Sequence, residues 1–515
     1  MSDEIELKLA VAAADLARLR RNPLLRTLAS GRRSRRVELE STYFDTPNLA
    51  LKAQGMALRV RKQGKRRTQT LKVAKDKSLS TLREIRELEV DIAGDSPDIA
   101  AIDDADLRAL LSEEAIAAHL KPVFTTRIVR HLLPLRLMDS EIEVAFDEGT
   151  VSAGEREDPV CEMELELLSG APEYLLQLAL AISEQVKIQL ETRSKAARGY
   201  ALAKARILPA MSAHRTELSR DATAGQAFEA IAKDCLQQMR TNEAALLSGN
   251  REPEAVHQLR VGVRRLRAAL SLFRPLIASG VDVQLREDLG WLQNVLGPAR
   301  DWDVFRLETL GPMTERLPET PGLTQLRTKA DAVGEEAYDD AMAALRSHRY
   351  AVLLLRLELW LRNGAWCAAD ASDAERPVAD FATEAVAKRA KQVLKRGKEQ
   401  DPEVEETLHD LRIAGKKMRY ALEFFRDVMK EGAREAITLS KSLQDCLGSL
   451  NDAAVSRGLL DSLQERYRKD IDGKATGLVL GWQAHRVGKD LSQLDSVWAE
   501  VRPVVKRLAA GKAPF

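Results

Sequence analysis

The sequence predicts an α+β multidomain protein: an antiparallel eight-stranded β tunnel or barrel with flanking helices, followed by an all-α domain of two related helical bundles. Up to about residue 205, short segments alternate strictly between charged and apolar residues. From about residue 220, the chain is rich in Ala, Leu, Arg and Glu at helical spacing. One long helical pattern occurs twice in this second part, which indicates an internal duplication.

The first alternating segment, residues 4–8, places two acids and a lysine on one strand face and Ile5 and Leu7 on the other. Alone, such a strand could equally be a solvated sheet edge. The same alternation recurs in five further segments, at 58–61, 70–73, 87–91, 141–147 and 162–167. If the charged faces pointed inward in a barrel, they would form a polar tunnel, and its apolar exterior would need helical cover. Helical spacing predicts that cover over residues 15–29, 99–119 and 172–186.

Composition sets further bounds on domains and location. A chain of 515 residues is long for one core. The predicted domains are 1–205 and 221–512, joined by a linker over 206–220, with the duplication over about 221–365 and 375–512. Lys plus Arg (79) nearly balances Asp plus Glu (78), so any charge recognition must be local. Without an apolar run of membrane length or a basic leader, a soluble cytoplasmic protein is expected. The four cysteines lie far apart and are interpreted as reduced structural thiols.

An ordered set of motifs covers the first part of the chain. It comprises ExExK at 4–8, YFDTP at 43–47, GMALRVR at 55–61, TLK at 70–72, the acidic strands, and SKAARGY at 194–200. In this order the motifs resemble the CYTH domain of the triphosphate tunnel metalloenzymes, over about residues 1–205. The segments 142–149 and 161–170 are similar to bacterial members that hydrolyse inorganic triphosphate. The resemblance therefore implies a tunnel-shaped barrel with a metal-dependent phosphohydrolase site.

The resemblance also implies roles for individual residues. The implied metal ligands are Glu4, Glu6, Asp147, Glu162 and Glu164. The implied phosphate-binding catalytic residues are Lys8, Arg59, Arg61, Lys72, Arg130 and Lys195. Arg130 is favoured over Arg127 because the family arginine commonly lies six residues beyond a phenylalanine, here Phe124, and this choice stays open. Carboxylates and cations in one lumen suit a triphosphate held with a divalent ion, expected to be Mg²⁺ with Mn²⁺ as the alternative. The scattered histidines offer no competing Ser/His/Asp or Cys/His site.

The duplicated helical pattern carries a basic stripe. In each copy a histidine and three cations recur at i, i+3, i+7 and i+10 beside an apolar stripe. These residues are His257, Arg260, Arg264 and Arg267, and then His409, Arg412, Lys416 and Arg419. A run of like charge is usually a solvated face, but the repetition of this one with few intervening acids favours an anion-binding surface. The pair resembles the CHAD domain, a helical module associated with polyphosphate, and the two stripes are expected to face each other across one groove.

Together, the two resemblances predict metal-dependent hydrolysis of inorganic triphosphate to pyrophosphate and phosphate, with polyphosphate bound by the helical domain. Two alternatives stay open: a class IV-type adenylate cyclase using the same tunnel, and a non-catalytic polyphosphate-binding protein. An aromatic content of 4% offers no obvious adenine sandwich. No nucleic acid or membrane partner is expected. The sequence leaves open the oligomeric state, the preference among triphosphate, ATP and thiamine triphosphate, and whether the helical domain delivers substrate or docks the protein on polyphosphate granules.

Overall fold

The structure is a computed structural model. It describes residues 2–29, 31–74, 81–204, 207–213, 215–278, 280, 282–367, 372–401, 404–429, 432–468 and 470–511. Residues 1, 205, 206 and 512, which bound the predicted domains and linker, lie outside this set. The chain forms two compact units, Met1–Ile207 with Leu345–Asn363, and Leu208–Ala344 with Gly364–Phe515.

The first unit is built on one antiparallel sheet. Its strands are β1 (Ser2–Ala10), β2 (Arg35–Asp45), β3 (Met56–Gln63), β4 (Arg66–Ala74), β5 (Arg83–Asp91), β6 (Lys121–Leu137), β7 (Ser140–Ala153), β8 (Arg156–Ser169) and β9 (Gln189–Leu190). They follow the order β5-β4-β3-β2-β6-β7-β8-β1-β9, and an additional pairing of β5 with β1 closes the sheet. Strands β1–β8 therefore form the predicted eight-stranded barrel, with the short β9 added beside β1.

The pairing register of the strands explains why charged side chains lie inside the barrel. Lys8 pairs with Glu164, while the neighbouring Leu7 pairs with Leu165. Because side chains alternate across a strand, the charged positions share the inner face and the leucines share the outer face. Both leucines are buried in an apolar core outside the barrel, under the covering helices. The barrel thus has a polar lumen and an apolar exterior.

The described residues between 13 and 203 form seven α-helices of the first unit. They are α1 (Ala13–Leu19), α2 (Pro23–Leu28), α3 (Ala50–Ala53), α4 (Ala105–Leu111), α5 (Glu114–Ala117), α6 (Glu173–Ser183) and α7 (Lys195–Ala203). The single helix predicted over 15–29 is split, because Asn22 caps a new helix that begins with Pro23. The helix predicted over 99–119 is likewise split: a short 3₁₀ turn precedes α4, which Asp104 caps through the Leu107 backbone N–H.

The described residues after α7 are mainly helical. Their helices are α8 (Ala224–Leu247), α9 (Pro253–Leu272), α10 (Val283–Val295), α11 (Gly297–Val304), α12 (Gly311–Arg316), α13 (Pro321–Leu345), α14 (His348–Arg362), α15 (Val378–Glu399), α16 (Glu405–Phe424), α17 (Gly432–Cys446), α18 (Gly448–Arg466), α19 (Gly473–Leu491) and α20 (Leu494–Ala509). A π-helical segment, Phe305–Leu310, joins α11 to α12. No helix in the described ranges combines the length and apolarity needed to cross a membrane.

Helix α14 belongs to the barrel unit. The sequence interpretation placed this segment within the first helical bundle, over 221–365. In the structure α14 packs against α6 and β9, and its Ala351 and Leu355 join the core outside the barrel. The barrel unit therefore includes a helix that lies far from the other barrel elements in the chain.

Candidate functional site

The barrel encloses a cavity of about 810 Å³. Most residues that the CYTH resemblance singled out line it: Glu4, Glu6, Lys8, Arg59, Arg61, Lys72, Arg130, Glu164 and Lys195. The other two, Asp147 and Glu162, are almost fully buried and form ion pairs with the Lys195 ammonium. The structure therefore gathers the acids and bases of seven chain segments into one lumen.

Three carboxylates form a buried cluster on β7 and β8. Asp147 pairs with Glu162 across the two strands, and Glu164 lies two residues further along β8 on the same face. One carboxylate oxygen from each of the three lies within 4.8 Å of the others. Such a set of oxygen ligands suits a hard divalent cation. In the described residues no other group of three or more potential ligands meets the same spacing.

Cationic side chains surround this carboxylate cluster. The Lys195 Nζ lies 2.6 Å from Asp147 and 3.0 Å from Glu164, and it also contacts Glu162. Arg130 donates two hydrogen bonds to Asp147, at 2.8 and 2.6 Å, and a third to Glu164. Burial would raise the pKa of Glu164, but Lys195, Lys8 and Arg130 together hold that pKa well below its usual range. Glu164 is therefore ionised, which is the state that a metal ligand requires.

Glu162 shows that the cluster has capacity for one more cation. Its Oε2 has no hydrogen-bond partner among the described residues and lies 3.5 Å from the Arg198 guanidinium. Burial raises the pKa of Glu162, and although Lys195 opposes the shift, Glu164 adds to it. A buried carboxylate oxygen without a donor is costly, so the residues present fit a bound metal ion at this point.

Glu4 and Glu6 were predicted beside the same metals but have other partners. Glu4 lies 2.7 Å from the Lys72 ammonium, and Glu6 lies 2.9 Å from Lys8 and 3.5 Å from Arg83. Burial raises the pKa of Glu4, and Lys72 opposes this shift. Both carboxylates line the cavity, yet within the described residues they are not grouped with the buried trio.

The arginines differ in how far their charge is compensated. Arg59 lies 3.1 Å from Glu87 and 3.7 Å from Glu89, so its charge is compensated by two carboxylates of β5. Arg61 has no described carboxylate within ion-pair distance, and its Nε lacks a hydrogen-bond partner. Burial, followed by repulsion from Arg59 and Arg130, lowers the pKa of Arg61 to about 10. An anion bound beside Arg61 would relieve this repulsion.

Strand alternation separates Arg127 from Arg130. The two residues are three positions apart on β6, so their side chains emerge on opposite faces. Arg130 lines the cavity, whereas the Arg127 side chain is 69% exposed and lies 4.0 Å from Glu40. The inner face of β6 is therefore the one that carries Arg130.

The sequence reasoning missed several lining residues, among them Arg83, Tyr43 and Glu143. Arg83 lies at an even spacing from Glu87 on β5, so extending the alternating pattern backwards would have found it. Tyr43 belongs to the YFDTP motif, and its ring stacks on Phe124 with centroids 4.4 Å apart. Tyr43 shares the lumen face of β2 with Val37, Leu39 and Ser41 at period two, but these residues are not charged, so a search for charged strand faces did not single it out.

The basic stripes of the second unit lie on α9 and α16, which pack against each other. The two copies make equivalent contacts: Arg267 donates to the Gln293 side chain at 2.6 Å, and Arg419 donates to Gln444 at 2.9 Å. Arg419 also pairs with Glu423 at 2.7 Å. These matched contacts agree with an internal duplication.

Cations from the two stripes interact directly. Repulsion from Arg264 on α9 lowers the pKa of both Arg412 and Lys416 on α16, after burial as the larger cause. The pKa of Lys416 falls to about 7. The Nε atoms of Arg260, Arg264 and Arg412 have no hydrogen-bond partner among the described residues. The stripes therefore lie side by side with unused donors.

Two acids and two histidines complete this surface. Asp301 on α11 and Asp452 on α18 interact with the stripe and with each other, and burial raises the pKa of Asp301. Burial and the neighbouring arginines lower the pKa of His257 to about 4, so this imidazole is neutral near pH 7. His409 makes no hydrogen bond or ion pair within the described ranges. The surface is thus basic through its arginines and Lys416.

Comparisons with known proteins agree with this two-part architecture. The CYTH domain family matches residues 2–200, and the CHAD domain family matches residues 230–461. An inorganic triphosphatase of Haemophilus influenzae is 34% identical over 204 residues, which cover 39% of this chain and 55% of that protein. An uncharacterised protein of Mycobacterium tuberculosis is 28% identical over 265 residues, 49% of either protein.

A solved structure matches the helical half. The crystal structure of the CHAD domain from the plant Ricinus communis is 31% identical, with a TM-score of 0.51. The match covers 57% of this chain and 96% of that one. This chain spans about half the length of the curated relatives it matches. It belongs to the proteins that join an N-terminal CYTH domain, residues 2–200, to a CHAD domain, residues 230–461.

Proposed function

We propose that the CYTH domain hydrolyses inorganic triphosphate to pyrophosphate and phosphate inside the tunnel, with a bound divalent metal ion. The observation that carries this proposal is the buried cluster of Asp147, Glu162 and Glu164 in the same lumen as the unpaired Arg61. A tunnel that bound anions without a metal would have no use for three converging carboxylates. The similarity to the Haemophilus inorganic triphosphatase supports the same reaction class.

The side chains divide into two roles. Asp147, Glu162 and Glu164 would hold the metal, with Mg²⁺ as the first choice and Mn²⁺ as the alternative. Glu4 and Glu6 line the same lumen and are proposed as further carboxylate ligands. The bound ion would neutralise phosphate charge and lower the pKa of a bound water.

The cations hold the phosphate chain. The six proposed phosphate ligands are Lys8, Arg59, Arg61, Lys72, Arg130 and Lys195. Arginine can contact two phosphate oxygens through its planar fork, whereas lysine acts as a point charge. Water forms the new bond to the terminal phosphorus as the bridging P–O bond breaks, and pyrophosphate leaves. Because no described carboxylate pairs with Arg61, its guanidinium can bind phosphate without first breaking an ion pair.

The test compares three substrates with full-length protein: tripolyphosphate, ATP and long-chain polyphosphate, each with Mg²⁺ or Mn²⁺. We expect orthophosphate and pyrophosphate from tripolyphosphate, and no turnover in excess chelator. Glu164→Gln should abolish turnover, whereas Glu155→Gln, at an exposed turn, should not. Cyclic AMP from ATP would instead establish the cyclase, and binding without turnover would establish a non-catalytic protein.

We further propose that the CHAD domain binds long-chain polyphosphate through the two basic stripes. The supporting observation is the set of unpartnered Nε atoms on Arg260, Arg264 and Arg412 beside the crowded Lys416. A linear polyanion would compensate the crowded positive charge of these side chains and release counterions, so its affinity should fall as salt rises. His257, Arg267, His409 and Arg419 extend the proposed surface on the same helices.

Charge reversal tests this second proposal. In the full chain, Arg260, Arg264, Arg412 and Lys416 are changed to Glu, and polyphosphate binding is measured at several salt concentrations. The matched control reverses four exposed lysines on α15: Lys388, Lys391, Lys395 and Lys398. We expect loss of binding and of its salt dependence in the first variant alone. Equal binding by both variants would show that the stripes are only solvated surface.

A further inference from the structure

Helix α14 takes part in the core that supports the candidate tunnel site. Its Ala351 and Leu355 are 1% and 0% exposed, in the same apolar cluster as Leu7 and Leu9. These two leucines are the outward residues of β1, whose inward residues include Lys8. The strand that begins the site therefore rests on a core that the CYTH family match, residues 2–200, does not fully contain.

A buried carboxylate of α14 holds the start of β5. Glu358 is 5% exposed, and its Oε2 accepts a hydrogen bond of 3.0 Å from the Thr81 backbone N–H. Its other oxygen accepts from Arg362 at 3.1 Å. Thr81 lies two residues before Arg83, which lines the cavity and pairs with Glu6. Glu358 thus fixes the backbone immediately before a tunnel residue.

A second side chain of α14 holds another segment that leads to the site. The His348 Nδ1 accepts a hydrogen bond of 3.1 Å from the Ile188 backbone N–H. Ile188 immediately precedes β9, which pairs with the end of β1. Three residues later the Glu191 N–H donates to the Lys8 carbonyl at 3.0 Å, and the segment then reaches Lys195. His348 thus anchors the segment that supports Lys8 and carries Lys195.

We propose that α14 is a positioning element of the tunnel site, acting through His348 and Glu358; this inference rests on the triphosphatase function proposed above. The Thr81 and Ile188 N–H groups are not bonded in the barrel's strand ladders, so without these acceptors each would need another partner. The two segments would then shift, and displacement of phosphate-binding groups by about 1 Å lowers turnover by up to about a hundredfold.

The experiment uses the full chain and pairs each disruptive variant with a conservative one. Glu358→Leu and His348→Leu remove the acceptors, whereas Glu358→Gln and His348→Asn keep an amide oxygen near the same place. Arg356→Gln, at an exposed position on the same helix, is the control. Each variant is examined by hydrogen exchange of the Thr81 and Ile188 amides, by thermal unfolding, and by kcat and KM for tripolyphosphate.

We expect Glu358→Leu to speed exchange at Thr81 and His348→Leu to speed exchange at Ile188. Each should lower kcat/KM about tenfold or more. The Gln and Asn variants should stay close to wild type in both measurements. Unchanged exchange in both leucine variants, or equal kinetic losses in the leucine and amide variants, would overturn the proposal. If Glu358→Leu does not fold, the proposal is tested by comparing His348→Leu with His348→Asn, because His348 is only partly buried. If wild type hydrolyses no tripolyphosphate, the proposed function fails, and exchange still decides whether α14 positions these segments.

Discussion

Charge compensation in the tunnel differs from residue to residue. Asp147, Glu162 and Glu164 each have a cation within ion-pair distance, whereas Arg61 has no described carboxylate that close. An uncompensated, partly buried charge lowers the stability of the free protein, and it strengthens binding of any anion that reaches it. Arg61 is therefore the position where binding and stability should change in opposite directions.

Arg61→Met tests this opposition. It should raise the free energy of unfolding by about 1 kcal/mol because it removes repulsion with Arg59 and Arg130. It should also weaken tripolyphosphate binding by about tenfold or more, since a charge-assisted contact is lost. Denaturant unfolding and KM measure the two effects. Arg127→Met, on the exposed face of β6, should change neither. A variant that is less stable than wild type would contradict this account of Arg61.

Lys416 predicts a pH dependence in the helical unit. Its pKa of about 7 lies below the ordinary 10.5, and the charged groups around it are Arg264, Arg412, Arg419 and Asp452. Between these pH values the unfolded chain binds the proton that the folded chain lacks, so this group makes stability rise with pH through that window. Binding of a polyanion above pH 7 must restore the proton.

Polyphosphate affinity should therefore fall as pH rises from 6 to 9, by at most about tenfold per unit above pH 7. Lys416→Arg should remove most of this dependence, because arginine stays protonated throughout. The measurement is Kd at fixed ionic strength across the pH range. His257, with a pKa of about 4, stays neutral in this window and does not contribute. If wild type and Lys416→Arg had the same pH profile, the pH dependence of the affinity would come from a group other than Lys416.

At the scale of elements, the link between α7 and the barrel depends on a glycine. Gly199 belongs to the SKAARGY motif, and a Cβ at this position would overlap the ring of Phe124. That ring stacks on Tyr43 and meets Tyr200 edge-on, with centroids 5.1 Å apart. The motif therefore combines a cavity-lining lysine at the start of α7 with a close-packed glycine behind it.

Gly199→Ala should destabilise the protein by about 1–3 kcal/mol, because the added methyl group has no space. It should also reduce tripolyphosphate turnover, since α7 would move with Lys195 at its first turn. Thermal unfolding and kcat measure the two effects. Gly458→Ala in α18, with nothing within 4 Å of the new Cβ, should instead be neutral or stabilising by up to about 1 kcal/mol. Unchanged stability in Gly199→Ala would show that the ring can move aside.

The elements also show what sequence could predict. Period-two alternation predicted which residues of each strand share a face, and with the charged face turned inward Lys8 and Glu164 could be placed before any coordinates. On β2 the same assumption would fail, because its lumen face carries Val37, Leu39 and Ser41. Alternation could not reveal that Lys195 lies against three carboxylates, because that arrangement depends on how α7 packs across the barrel wall. Nor could it place α14, whose Ala351 and Leu355 read as ordinary helical core residues. Periodicity identifies a buried face, but not the partner that buries it.

At the scale of the whole molecule, the family matches and the compact units do not share boundaries. The CHAD match, residues 230–461, includes α14, yet α14 folds with the barrel. The chain therefore leaves the helical unit after α13 and returns to it before α15. The two domains are therefore not simply independent modules joined by a linker. Deleting the residues of the CHAD match would also delete α14, which is part of the barrel unit.

Although α14 lies within the CHAD match and folds with the barrel, the two proposed anion sites should act independently. The variants that test them alter charges on β3 and α9 and leave α14 intact. Arg264→Glu should weaken long-chain polyphosphate binding by about tenfold or more and leave kcat and KM for tripolyphosphate within about twofold. Arg61→Met should have the opposite pattern. The double variant should then show the product of the single effects on each property, since substitutions without shared partners are additive. Kinetics and binding are measured at one salt concentration. A change of more than about threefold in tripolyphosphate KM caused by Arg264→Glu alone would show that the groove participates in the tunnel reaction.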